Sequence, residues 1–95
     1  MITVTFAKAF RRHVECPDEL IEPAAGSSGP MLRDVLGAYF ARHPGVRTYV
    51  LDDAGALRRH VTVFVDDEQL THREALDRSV TPASTVYLFQ ALSGG

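Results

Sequence analysis

The sequence has one lysine, one cysteine and no long apolar run, and each scarcity removes a class of function. Cys16 alone cannot close an internal disulfide, nor can it supply the four thiolates that hold a typical iron–sulfur cluster. No stretch approaches the roughly 20 apolar residues that span a bilayer. Met1-Ile2-Thr3-Val4 does not form a basic region leading into the apolar stretch of a secretion signal. A soluble protein of the reducing cytoplasm is expected, with no membrane partner. Excess positive charge is missing too: the net charge is −2 and the isoelectric point about 6.0. Arg11-Arg12 and Arg58-Arg59 are only pairs, so nothing is expected to hold a nucleic-acid backbone.

The usual signs of an enzyme are also absent. His13, His43, His60 and His72 are scattered, with no H-x-x-x-H pattern and no pairing with the cysteine, so they read as surface or structural histidines. Gly26 and Gly29 flank Ser27-Ser28, but no G-x-x-x-x-G-K-[ST] loop exists to cradle a phosphate. Asp66-Asp67-Glu68 reads as a solvated turn, because hard-cation sites recruit further oxygen ligands at defined spacing. Cys16 reads as a small apolar residue on or beside a strand. No catalytic residue, metal site or bound cofactor is expected.

An apolar fraction of 45% and a charged fraction of 23% describe a folded globular chain, and 95 residues suffice for one core and one domain, 1–95. Ile2, Val4 and Phe6 alternate with Thr3 and Thr5, predicting a first strand over residues 2–7. A second extended stretch is expected around His13 to Cys16, continuing through Leu20 and Ile21. Residues 24–30 form a loop by composition, and Pro30 suits the first turn of a helix. Leu32, Val35, Leu36, Tyr39 and Phe40 then recur at helical spacing, with Arg33, Asp34 and Arg42 on the other face. His43-Pro44-Gly45 is expected to end this helix, the only long one the sequence clearly supports. Residues 46–59 read as a long connection with a turn at Asp52-Asp53-Ala54-Gly55. Val61, Val63 and Val65 alternate into a strand, Gln69-Leu70 begins a short return, residues 71–80 allow a helical turn, and residues 85–90 make the last strand. One helix across a mixed sheet of four to five strands, with the first and last strands parallel at its centre, is the α+β β-grasp arrangement.

The last strand runs directly into Ala91-Leu92-Ser93-Gly94-Gly95. Two glycines lack Cβ atoms and can thread a narrow cleft. Two terminal glycines alone also fit an inert end; their place after the last strand of this element order points to function. An ionised terminal carboxylate can attack the α-phosphorus of ATP to give an acyl adenylate, which a sulfur donor converts to a thiocarboxylate by displacing AMP. The ATP, its magnesium and the sulfur donor belong to the partner in this scheme.

The residues also carry a resemblance. Residues 84–95, ending in Gly94-Gly95, are similar to the last strand and tail of ubiquitin-like proteins. With the Ile2-x-Val4-x-Phe6 strand, the amphipathic helix and the stretch from Val61 to Glu68, the chain resembles the MoaD/ThiS sulfur carriers over nearly its whole length. The resemblance implies adenylation at Gly95 by an E1-like enzyme, then a thiocarboxylate passed to a sulfur-acceptor enzyme in cysteine, molybdopterin or thiamine-type biosynthesis. It implies a protein co-substrate rather than an enzyme, or the small subunit of a complex such as molybdopterin synthase. The long connection from Gly45 to Arg59 departs from the compact members and looks more like carriers that deliver sulfide for cysteine biosynthesis or related pathways. A ubiquitin-like modifier joined to lysines through Gly95 is the alternative, with Lys8 as the one site for self-linkage; an interaction module with an inert tail is a third.

Period-2 geometry also defines a surface. If Val61, Val63 and Val65 face the helix, Phe64 faces away; if Val86 and Leu88 face in, Tyr87 and Phe89 face out. Phe64, Tyr87 and Phe89, with Leu92 on the tail, are the expected partner-docking surface.

Overall fold

A computed structural model describes residues 1–22, 29–70 and 74–90. Ile2, Val4 and Phe6 of strand β1 (Ile2–Phe6) are buried while Thr3 and Thr5 stay half-exposed, as the alternation requires. The same pattern places Val61, Val63 and Val65 of β3 (Val61–Val65) in the core, along with Val86 and Leu88 of β5 (Thr85–Gln90). With β2 (Glu19–Ile21) and β4 (Glu68–Gln69), the five strands form one sheet ordered β2-β1-β5-β3-β4. β1 and β5 are parallel neighbours at its centre, with Val4 beside Val86 and Phe6 beside Leu88. The other pairs are antiparallel.

Helix α2 (Leu32–Arg42) covers one face of the sheet with Leu32, Val35, Leu36, Tyr39 and Phe40, the stripe read from the sequence. Asp34 in its first turn and Arg42 in its last complement the helix dipole. Its start uses neither a side-chain cap nor a proline in the first turn: Pro30 precedes the N-cap Met31. Instead the Leu32 amide donates to the Arg78 carbonyl at 2.8 Å and the Val80 amide to the Pro30 carbonyl at 2.9 Å, so a remote segment satisfies this end of the helix. That segment follows the helical turn expected within residues 71–80, a short 3₁₀ turn at Ala75–Asp77.

Three expectations need correction. The stretch from His13 to Cys16 is irregular; a short helix α1 (Lys8–Arg11) precedes it, and the strand begins only at Glu19, because Phe10 fills the core from α1 and Cys16 from the loop that follows. Pro44 ends α2 but opens another helix, α3 (Pro44–Val50), at whose first position its missing N–H costs nothing. The connection from 46 to 59 is therefore partly helical, with Val46 and Val50 buried four residues apart, before Asp52 caps the amides of Ala54 and Ala56 and Gly55 turns at φ +82°. The return strand is Glu68–Gln69, one residue earlier than read.

The helices cover only one side. The other face of the sheet carries Thr3 and Thr5, Thr62 and Phe64, and Thr85, Tyr87 and Phe89. No helix among the described residues is long and apolar enough to cross a membrane.

Candidate functional site

The open face takes its shape from register. Thr5, Tyr87, Phe64 and Gln69 lie in one row across four strands, and Thr62 and Phe89 form the next row along. The rings of Phe64 and Tyr87 are 6.3 Å apart at 51°, within range of a direct aromatic contact. Tyr87 keeps 36% of its surface exposed and Phe89 40%, while Phe64 is half-buried. All three aromatics assigned from the sequence therefore share this face. Leu92, Gly94 and Gly95 lie outside the described residues.

One end of the face is acidic. Asp66 and Asp67 make the two-residue turn between β3 and β4 with φ of 51° and 70°, the left-handed geometry that matches the twist of a tight hairpin. Asp66 ties the turn to β5: its carboxylate accepts the Thr85 amide and the Ser84 hydroxyl, each at 2.9 Å. Ser84 is thereby paired although buried, and its oxygen also accepts the Thr81 amide at 3.0 Å. Phe64, Asp66, Asp67, Thr85 and Tyr87 line a shallow groove at this end.

At the opposite end, β5 leaves the sheet beside the start of β3, where Val61 pairs with Gln90. The Ala7 amide donates to the Leu88 carbonyl at 2.9 Å, extending the parallel pairing toward α1. The chain enters residues 91–95 from the middle of a well-tied sheet.

The remaining sequence candidates do not gather into a second site among the described residues. His13 is exposed, and His43 Nε2 lies 2.7 Å from Glu19 Oε2. His72 is outside the described residues. Burial pushes the Cys16 thiol up, outweighing the pull of Arg11, so it stays protonated and unreactive at neutral pH. Among the described residues no three histidine, cysteine or acidic side chains gather as a metal site; Asp66 and Asp67 form the turn and Glu68 opens β4. Sequence reasoning missed the contact of Asp18 with Thr5 and Arg11 at the edge of the open face, and the clasp of Asp66 on Ser84 and Thr85. Neither pairing spaces its residues in a way a strand or helix period reveals.

No protein-family model matches the chain, and no curated protein does. Solved structures do match in shape. The small archaeal modifier protein SAMP1 from Haloferax volcanii superposes with a TM-score of 0.79 over 99% of this chain and 98% of that one, at 19% identity. The chain has the β-grasp fold. Two further β-grasp structures agree over nearly their full lengths. SAMP1 from Methanosarcina acetivorans has a TM-score of 0.75 and 16% identity, covering 99% of this chain and 95% of that one. CysO in the Amycolatopsis orientalis BexX/CysO complex has a TM-score of 0.74 and 21% identity, covering all of both chains. The likeness inferred from the residues is thus borne out in the β-grasp fold.

Proposed function

We propose that this β-grasp protein is a ubiquitin-like sulfur carrier, a protein co-substrate whose Gly95 carboxylate is activated by an E1-like enzyme. The observation that carries the reading is the position of β5: a central strand, locked on both sides, runs straight into the segment that ends Ser93-Gly94-Gly95. The fold shared with SAMP1 and CysO supports it. In the first step a carboxylate oxygen of Gly95 bonds to the α-phosphorus of ATP, and the bond to the departing pyrophosphate breaks. In the second, hydrosulfide adds at the acyl carbon and AMP leaves with its oxygen, giving a thiocarboxylic acid that loses its proton at neutral pH. The partner holds the ATP and its magnesium. This chain contributes a narrow tail and a docking face of Phe64, Tyr87 and Phe89, with Leu92 on the tail.

Incubation with a cognate adenylating enzyme, ATP and sulfide should convert the full chain to a species heavier by the replacement of one oxygen with sulfur in intact-mass spectra. A chain lacking Gly95 should not convert. Equal behaviour of the two would overturn the reading. The long Gly45–Arg59 connection is the feature that favours delivery of sulfide for cysteine biosynthesis or a related pathway over molybdopterin or thiamine formation. A modifier function is the second reading, favoured by the fold shared with two proteins called modifiers; isopeptide adducts of Gly95 in cells would establish it.

A further inference from the structure

The groove between the aromatic rings and the hairpin turn is electrically one-sided. Its lining residues are Phe64, Tyr87 and Thr85 with the carboxylates of Asp66 and Asp67, and no cation is among them. Elsewhere on the domain some exposed carboxylates meet an arginine: Asp18 meets Arg11, Asp77 meets Arg33, and Glu68 meets Arg78. The Arg78–Glu68 pair does not neutralise the groove, because Glu68 pairs with core-facing Val65, whereas the groove lies on the Phe64 side. Asp66 is held by the Thr85 amide and the Ser84 hydroxyl, which organise its charge without cancelling it. No arginine, lysine or histidine of the described residues pairs with Asp67.

We propose that this groove docks an arginine side chain from a loop of a partner protein, with the guanidinium over the Phe64–Tyr87 rings and against the Asp67 carboxylate. Charge complementarity selects a cation, and the ring faces select a planar one. A guanidinium stacks on an aromatic face and forks to a carboxylate at once, whereas an ammonium is compact and strongly hydrated. The docking extends the carrier reading by naming the chemistry of the partner contact, yet the groove exists whatever becomes of residue 95.

The probe is the tripeptide acetyl-Gly-Arg-Gly-amide, titrated at low salt into the full ¹⁵N-labelled chain. Saturable amide shifts are expected at Phe64, Asp67, Thr85 and Tyr87, and Asp67→Asn and Tyr87→Ala should each weaken binding by about fivefold. Asparagine tolerates the left-handed backbone at position 67, so the Asp67→Asn chain keeps its hairpin. Equal binding of the Lys or Gln tripeptide, shifts scattered over the whole surface, or indifference to Asp67→Asn would each overturn the proposal. Concentration-dependent broadening of the same amides without peptide would assign the face to a second copy and overturn it as well. With an adenylating enzyme, Asp67→Asn should raise the KM for this chain in ATP–pyrophosphate exchange and leave kcat unchanged. If the wild-type chain is never adenylated, the carrier reading falls, and the peptide titration still decides the groove.

Discussion

Tyr39, buried in the middle of α2, donates its phenol hydrogen to the Pro17 carbonyl at 2.7 Å. That bond and the packing of Phe6 on the Tyr39 ring, 5.1 Å between centroids, hold the irregular chain before β2 against the helix. Tyr39→Phe keeps the ring and loses the hydrogen bond. It should cost about 1 kcal/mol in urea unfolding.

The same phenol makes stability sensitive to alkali. Burial, reinforced by negative charge at Cys16, Glu19 and Asp18, raises the Tyr39 pKa well above the ordinary tyrosine value, against a smaller pull from Arg11. The folded state thus holds this proton more tightly than the unfolded chain does. The contribution is complete below the unfolded tyrosine value of about 10 and is lost as pH rises toward the higher folded value. Urea midpoints should fall above about pH 10, with a shallower fall in Tyr39→Phe.

Glu19 behaves in the opposite sense. A hydrogen bond from His43, aided by Arg42, lowers its pKa against a partial loss of hydration. Its contribution is present above the ordinary glutamate range and disappears as pH falls through the lowered folded value. In His43→Ala the Glu19 side-chain carboxyl should titrate closer to its ordinary value by ¹³C NMR; an unchanged titration would reject the assignment to His43.

Leu88 and Phe89 are adjacent but answer to different demands. Leu88 is fully buried between Phe6 and Val63, so Leu88→Ala should cost about 2–5 kcal/mol with an unchanged denaturant slope. Phe89→Glu lies on the open face and should cost under about 1 kcal/mol. It should instead raise the KM for adenylation by the partner; unchanged activation kinetics would remove Phe89 from the docking face.

Asp66→Ala loses two hydrogen bonds and places alanine at φ 51°, which should cost about 1–3 kcal/mol in urea unfolding. Asp66→Asn keeps an acceptor and tolerates the backbone. It should lose less than half as much, a difference that separates the clasp from any general effect of charge.

Much of this was legible because one-sided burial writes itself as a period. Val61, Val63 and Val65 could alternate with Thr62 and Phe64 only as a strand with one face in the core, and the stripe from Leu32 to Phe40 could close only on a helix. What stayed hidden has no period long enough to read. In β2 only Ile21 is buried while Leu20 points outward, so three residues bear no pattern. Pro44 stops one helix and starts the next; the spacing of Val46 and Val50 was the signal for α3, overshadowed by the proline and glycine ahead of it. The aromatic face was readable by alternation, but the groove was not, since it depends on how the hairpin turn sits beside Tyr87.

The parallel pairing of β1 with β5 joins the first strand to the last. Val4 of β1 and the valines of β3 share the core that α2 covers, but no strand bridges them until β5 is in place. A molecule that fails to seat β5 also lacks the Phe64–Tyr87 row through which a partner would hold it. If that row is the docking surface proposed above, seating β5 couples a completed sheet to the grip a partner needs.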